Sequence, residues 1–251
     1  MAQIDFSQED KEIREQVKRI VNSQGGTQID CVSEPHVACC FLVDTSGSMK
    51  GEKIKQLNEA LQSFRPAVCE DPLSAKRVDV CVIEFNTSVN IVTPFCPITK
   101  FNPPILNAGG GTCMGAGIRF ALETIHEQVQ RYHNSGVECY KPFVLMITDG
   151  IPTDDIYGLD SIIAQREKSG RYGHLRFHAF GVKGANMDLL LSLTHRTLAI
   201  NNNAFGEIFN WASRSMQVIS NSTPGQNIAG ADITINMHPY NSETKKLPWD
   251  D

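Results

Sequence analysis

The sequence predicts an α/β fold of the doubly wound, Rossmann-like type, with a mostly parallel central sheet, helices on both faces and one antiparallel strand at an edge. Short apolar segments, typical of strands buried on both faces, alternate with longer segments of helical periodicity. This alternation indicates a parallel sheet, because each helix carries the chain back to the start of the next strand. One pair of apolar segments is joined only by Asn86–Ser88, and so short a connection predicts a hairpin and one antiparallel strand.

A predicted amphipathic helix precedes the alternating region. Apolar residues recur at helical spacing over residues 7–22, Ser7 is a candidate N-cap, and the Gly-containing segment 22–27 ends the helix. Because amphipathic helices usually cover their own domain, we expect this helix to pack on the outside of the fold. A detachable helix that docks on a partner is the alternative. We assign residues 1–34 to an N-terminal helical extension.

The alternating region itself covers residues 35–220. Two prolines, Pro94 and Pro97, follow the hairpin strand and should end it, as prolines do at a sheet edge. Residues 221–251 lack helical periodicity and end in charges, so we expect a tail, with Ile233–Ile235 as a candidate extra strand. The predicted strands are 37–43, 77–85, 89–93, 143–148, 176–182 and 197–200, and the predicted helices are 52–68, 115–132, 158–168, 187–193 and 205–219.

Composition excludes several classes of protein. A chain of 251 residues with 41% hydrophobic and 20% charged residues is long and apolar enough to bury a large core. Its net charge of -5 argues against a general nucleic-acid binder, which needs clustered Lys and Arg. The longest apolar run, Val37–Val43, is far shorter than the roughly 20 residues of a membrane helix. Residues 1–10 do not resemble a secretory signal, so we expect a cytoplasmic protein without a nucleic-acid or membrane partner.

The 8 cysteines agree with a reducing compartment. Cys39, Cys40 and Cys81 lie in apolar, strand-like segments, where a free thiol packs as a small hydrophobic group. Zinc binding by Cys31, His36, Cys39 and Cys40 is the alternative, but alternating strand side chains do not readily supply tetrahedral geometry.

A carboxylate and two hydroxyls follow the first predicted strand. Ligand sites of open parallel sheets lie beyond the carboxyl ends of the strands, so this loop is a candidate site. Asp44, Ser46 and Ser48 are two residues apart and project to the same side of an extended loop. Gly47 gives that loop the freedom to curl around a small ligand.

Two more oxygen donors are predicted at the same edge. Asp149 directly follows the strand 143–148, and Thr112 follows the glycines at 109–111. Small, hard oxygen donors suit Mg²⁺ or Mn²⁺ in octahedral coordination. Because only two of the five donors are charged, the bound cation keeps an affinity for an anion, such as an Asp or Glu of a partner protein. The five candidate metal ligands are Asp44, Ser46, Ser48, Thr112 and Asp149.

These residues resemble the metal-ion-dependent adhesion site of von Willebrand factor A domains. The DxSxS signature at 44–48, the distant Thr112 and the distant Asp149 occur in the order typical of that family, and Asp149–Asp154 resembles its DGxPTD loop. The resemblance covers residues 35–219 and implies the von Willebrand A fold. It also implies a non-enzymatic module that binds a protein partner through a metal ion.

The same resemblance implies a role for each ligand. Ser46 and Ser48 would bind the metal directly, and Thr112 would do so when a ligand is engaged. Asp44 and Asp149 would orient water molecules or bind, and supply negative charge. The segment 44–54 is most similar to the cytosolic bacterial branch that includes the tellurite-resistance protein TerY. That similarity implies a stress-response partner or one linked to phosphorylation.

Enzymatic functions fit the sequence less well. The glycine run lacks the Gly-Lys-Ser/Thr of a phosphate-binding loop, and no GxSxG nucleophile elbow or dinucleotide fingerprint is present. The best enzymatic alternative is a Mg²⁺-dependent phosphatase or phosphotransferase of the haloacid-dehalogenase type that uses Asp44, with Asp154 and Asp155 as the later acidic pair. That family needs a second carboxylate where this chain has Ser46. We interpret Asp154 and Asp155 as solvated turn charges and assign no residue, including the histidines, a catalytic role.

Overall fold

A computed structural model describes residues 8–23, 29–168, 175–201, 204–225, 237–241 and 247 of the chain. The strands in these ranges are β1 (Val37–Asp44), β2 (Val78–Phe85), β3 (Val89–Pro97), β4 (Phe143–Thr148), β5 (Arg176–Gly181), β6 (Thr197–Ile200) and β7 (Met237–Pro239). The helices are α1 (Gln8–Ser23), α2 (Glu52–Cys69), α3 (Pro72–Arg77), α4 (Met114–Asn134), α5 (Leu159–Lys168), α6 (Met187–Leu193) and α7 (Phe205–Ser220).

The strands form one sheet in the order β3-β2-β1-β4-β5-β6-β7. The five central strands are parallel, and β3 pairs antiparallel with β2 at one edge. The predicted fold class is therefore confirmed. A second antiparallel strand, β7, closes the opposite edge beside β6, which the sequence analysis did not predict. The candidate strand Ile233–Ile235 lies outside the described residues, and the domain boundaries at 34/35 and 220/221 stay predictions.

The central strand β1 is buried along its whole length, which explains its unbroken apolar sequence. On one face of the sheet, the Phe41 ring packs edge-on against Phe64 of α2, at 4.8 Å between ring centroids. It also packs against Phe209 of α7 at 4.7 Å, with the two rings tilted by 33°. Replacing a buried aromatic ring of this kind by alanine costs about 3–5 kcal/mol. The opposite face packs against α4, which contributes Ile118 and Leu122.

Helix α1 lies against α4, as expected for a helix that covers its own domain. Its Val17 is fully buried in the core on that face of the sheet. The Arg14 guanidinium pairs with the Glu123 carboxylate of α4 at 3.2 Å. Ser7, the candidate cap of this helix, lies outside the described residues. Within the described ranges, no helix combines the length and apolar composition that crossing a membrane requires.

Two local differences from the predicted elements have physical causes. Strand β3 continues through Pro94 to Pro97, because its register against β2 shifts twice near Val82 and an edge strand needs no donor on its outer side. Helix α3 was not predicted, since six residues are too few to show a period. Its sequence signal is a cap: the Asp71 side chain accepts a hydrogen bond from the Ser74 amide at 2.8 Å.

The cysteines near the start of β1 do not form a zinc site. Cys39 and Cys40 are both fully buried and pack on opposite faces of the sheet. The His36 Nδ1 atom lies 2.8 Å from Asp79 Oδ2, to which the Tyr132 hydroxyl donates at 2.5 Å. Burial opposes the charge of His36, but its hydrogen bond to Asp79 raises its pKa above the ordinary value on balance.

Candidate metal centre

All five predicted ligands lie at the carboxyl edge of the sheet. Asp44 is the last residue of β1, and Asp149 directly follows β4, its parallel neighbour. Thr112 comes just before α4. The residues are far apart in sequence, and the parallel sheet brings them together because its neighbouring strands end side by side.

A chain of hydrogen bonds links three of these side chains. The hydroxyl oxygens of Ser46 and Ser48 are 3.0 Å apart, and the Ser48 hydroxyl donates to Asp149 Oδ1 at 2.6 Å. The Asp149 side chain is fully buried and Ser46 is buried, whereas Ser48 is exposed. The chain of oxygens therefore runs from the interior to the surface and is open to solvent at Ser48.

Asp44 forms the buried floor of the site. It is 0% exposed, its Oδ1 atom accepts a hydrogen bond from the Ser46 amide at 2.8 Å, and its Oδ2 atom accepts one from the Thr148 hydroxyl at 2.5 Å. Burial raises the pKa of Asp44, the nearby charge of Asp149 adds to that rise, and the hydrogen bonds from Ser46 and Thr148 oppose it. A cation placed here would stabilise the charged form of both carboxylates.

Thr112 is buried and is held by the loop that follows Asp149. Its amide donates to the Thr153 hydroxyl at 3.1 Å, and its carbonyl accepts from the Thr153 amide at 2.9 Å. A Cβ atom added to Gly150 would lie 3.0 Å from Asp44 Oδ2 and 3.2 Å from the Thr112 hydroxyl. The Thr112 hydroxyl and the Asp44 carboxylate therefore converge on Gly150, where a side chain would crowd both.

The glycine run at 109–111 fixes the first loop. The Gly47 amide donates to the Gly110 carbonyl at 3.0 Å, and the Gly109 amide donates to the Thr45 carbonyl at 2.8 Å. Gly110 has φ +79°, and a Cβ there would lie 2.3 Å from the Thr87 hydroxyl. These glycines therefore hold the loop after β1 against the loop before α4.

Lys53 belongs to the site, although no role for it was predicted from the sequence. Its ammonium group projects from the first turn of α2 and forms a close ion pair with Asp149 Oδ2. The same group donates to the carbonyl of Lys183, in the loop after β5, at 2.9 Å. Nothing in the sequence separates this lysine from those on the surface, because its partners lie about a hundred residues away or more.

The interpretation of Asp154 as a solvated turn charge is wrong. Its two carboxylate oxygens accept hydrogen bonds from the amides of Gly115 at 3.0 Å and Ala116 at 2.8 Å. These amides begin α4 and have no acceptor inside the helix, so a carboxylate stabilises them. Asp155, in contrast, is exposed, as predicted, and among the described residues its side chain accepts only from the Tyr157 amide in its own turn.

The donor set fits a small divalent cation. Mg²⁺ binds oxygen at about 2.0–2.1 Å in an octahedron, so adjacent ligands are about 2.9 Å apart. The oxygens of Ser46, Ser48 and Asp149 are hydrogen-bonded in a row at 3.0 and 2.6 Å, so a single small ion could contact them together. In the described part of the chain, no cluster of three or more His, Cys, Asp or Glu residues offers another metal site.

Comparison with known families matches the central part of the chain. Residues 39–151 match the family model of the von Willebrand factor type A domain, and this range contains all five candidate ligands. Over this segment the chain is similar to the von Willebrand factor type A domain, the family that its sequence motif resembles. No curated protein matches the chain in sequence.

Solved structures share the fold. The PilB minor pilin from Streptococcus sanguinis is 15% identical, with a TM-score of 0.53 over 74% of this chain and 62% of the pilin. The pilus adhesin SpaC from Lactobacillus rhamnosus GG is 14% identical, with a TM-score of 0.57 over 76% of this chain and 31% of the adhesin. The chain thus covers less than two thirds of either protein, and at this identity the likeness concerns the fold alone.

Proposed function

We propose that this protein is a metal-dependent binding module that captures an acidic side chain of a partner protein. The observation that carries the proposal is the continuous chain of Ser46, Ser48 and Asp149 oxygens, which converge at the carboxyl edge of the sheet and are exposed at Ser48. Mg²⁺ or Mn²⁺ bound there would supply a Lewis-acidic position for a carboxylate. The ligand set of the proposal is Asp44, Ser46, Ser48, Thr112 and Asp149.

Each residue has a distinct task in this proposal. The Ser46 and Ser48 hydroxyls hold the ion without neutralising it, and Asp149, through Oδ1, supplies charge from the interior. Asp44 keeps the first loop in place through the Ser46 amide and adds the second negative charge. Thr112 offers a third hydroxyl, and its amide and its carbonyl are both hydrogen-bonded to Thr153.

The phosphatase alternative has less support. A nucleophilic carboxylate must be accessible to its substrate. Asp44 is fully buried, and each of its oxygens already accepts a hydrogen bond. We therefore propose a non-enzymatic role. The link to a bacterial tellurite, stress-response or phosphorylation-linked system, and the cytoplasmic location, remain part of this proposal. The eight unpaired cysteines support a reducing compartment.

Calorimetry with Mg²⁺, and water-proton relaxation with Mn²⁺, test the proposal. We expect one ion per chain, and at least about tenfold weaker binding in the double variant Ser46→Ala/Ser48→Ala. Ser192→Ala, a matched exposed serine on α6, should bind like the parent. Acetate, the simplest carboxylate probe, should lower the relaxation enhancement of the Mn²⁺-loaded protein by displacing a water.

Two results would contradict the proposal. One is the absence of Mg²⁺ or Mn²⁺ binding by the folded parent protein. The other is hydrolysis of p-nitrophenyl phosphate by the parent that disappears in Asp44→Ala, which would favour the phosphatase alternative instead. Capture of a partner that is unaffected by EDTA would show that any such interaction uses another surface.

A further inference from the structure

The ammonium group of Lys53 is built into the candidate metal centre. It is held between Asp149 Oδ2 and the Lys183 carbonyl, and its side chain is only 22% exposed. Asp149 therefore divides its two oxygens, with Oδ1 accepting from Ser48 and Oδ2 paired with Lys53. A surface lysine with no partner would extend its ammonium group into water. The ammonium group of Lys53 is instead paired with Asp149, a predicted metal ligand.

We propose that Lys53 sets the charge of the metal centre, so that the loaded site carries one net positive charge and selects a single carboxylate. This inference rests on the proposed function. Asp44, Asp149 and Lys53 together carry a charge of about -1, a divalent ion brings the site to about +1, and one carboxylate of a partner neutralises it. Without Lys53, the two aspartates alone would neutralise the ion, and a third carboxylate would leave the site negative.

Two charged side chains beside the first loop are more exposed than the two aspartates. The exposed Lys50 lies over Gly109, 4.0 Å from the position that a Cβ would take there. Glu84, in turn, lies 3.4 Å from the Thr45 hydroxyl on the other side of the loop. The two have opposite signs and are less buried than Asp44 and Asp149, so water screens them more.

The position of Lys53 gives it two effects of opposite sign. Its positive charge repels the metal ion and occupies one oxygen of Asp149, so it weakens metal binding. The same charge attracts the carboxylate of a partner once the metal is bound, so it strengthens that second step. A residue with a merely structural role would weaken both steps when it is removed.

The test is to replace Lys53 and measure the two steps separately. In Lys53→Met we expect Mg²⁺ to bind at least about tenfold tighter by calorimetry. Acetate should bind at least about tenfold more weakly to the Mn²⁺-loaded variant in the relaxation assay. Lys53→Arg keeps the charge and should stay within about threefold of the parent in both. Lys55→Met, which removes an exposed lysine of the same helix, is the matched control.

The outcomes separate this inference from the proposed function. If the parent binds no metal, the proposed function itself fails. If the parent binds metal, but Lys53→Met leaves both affinities unchanged or shifts both in one direction, the role of Lys53 is overturned while the metal site stands. Should Lys53→Met not fold, Lys53→Gln decides the matter, because it keeps a hydrogen-bond donor for Asp149 and removes only the charge.

Discussion

Removing the Asp154 carboxylate should destabilise the domain far more than removing its neighbour Asp155. In Asp154→Ala, the amides of Gly115 and Ala116 lose their only described side-chain acceptor at the start of α4. Loss of an N-terminal cap costs about 0.5–2 kcal/mol, and loss of a negative charge at that helix end costs about 0.3–1 kcal/mol more. The expected loss in the free energy of unfolding is therefore about 1–3 kcal/mol.

Urea denaturation followed by circular dichroism measures this loss, and thermal unfolding should show a decrease in Tm of about 2–4 °C per kcal/mol. Asp155→Ala is the control, since its exposed side chain accepts only one hydrogen bond within its own turn and should cost about 0.5 kcal/mol or less. Equal unfolding curves for the two variants would refute the assignment of Asp154 as the cap of α4.

Three further predictions concern the site, the core and pH. Gly150→Ala should weaken Mg²⁺ binding in calorimetry, because the new methyl group would lie 3.0 Å from both Asp44 Oδ2 and the Thr112 methyl group and would push them aside; metal binding at parental affinity would contradict this. Tyr132→Phe should lower the free energy of unfolding in urea by about 1–3 kcal/mol, because the buried hydroxyl donates to Asp79. Metal binding should not change, because Asp79 lies near the amino-terminal end of β2, away from the carboxyl ends of the strands. A change in metal affinity would argue against that separation. Burial, reinforced by nearby arginines, lowers the pKa of His178 to about 3, so the unfolded chain takes up a proton below about pH 6.5 while the folded chain does not. Stability should therefore fall by about 2–3 kcal/mol between pH 7.5 and pH 4.5, and that part of the fall should be absent in His178→Phe; equal pH profiles for the two proteins would refute it.

The parts of the fold that the sequence predicted are those governed by local patterns. β1 and β4 are continuous apolar segments because both faces of the central sheet are covered, and the hairpin before β3 is visible in its short connection. Helix α6 and strand β6 were predicted to the residue. The extension of β3 through Pro94 was missed because proline normally ends a strand, and only the edge position with its shifted register allows it to continue.

The arrangement of the candidate site was predictable in part for a similar reason. Asp44 ends β1 and Asp149 follows β4, its parallel neighbour, so their proximity follows from topology alone. The contacts that hold the site were not predictable, because they join residues that are distant in sequence. Lys53 reaches Asp149, and Thr153 holds Thr112, through tertiary packing that leaves no periodic signal in the chain.

A crystal structure of the protein with Mn²⁺, using anomalous scattering to locate the ion, tests the central claim most directly. We predict one anomalous peak within coordination distance of the Ser46 and Ser48 hydroxyl oxygens, with Lys53 still paired with Asp149. The claim would be contradicted if a crystal soaked in Mn²⁺ showed no manganese at this edge of the sheet. Serine side chains that point away from each other would contradict it too.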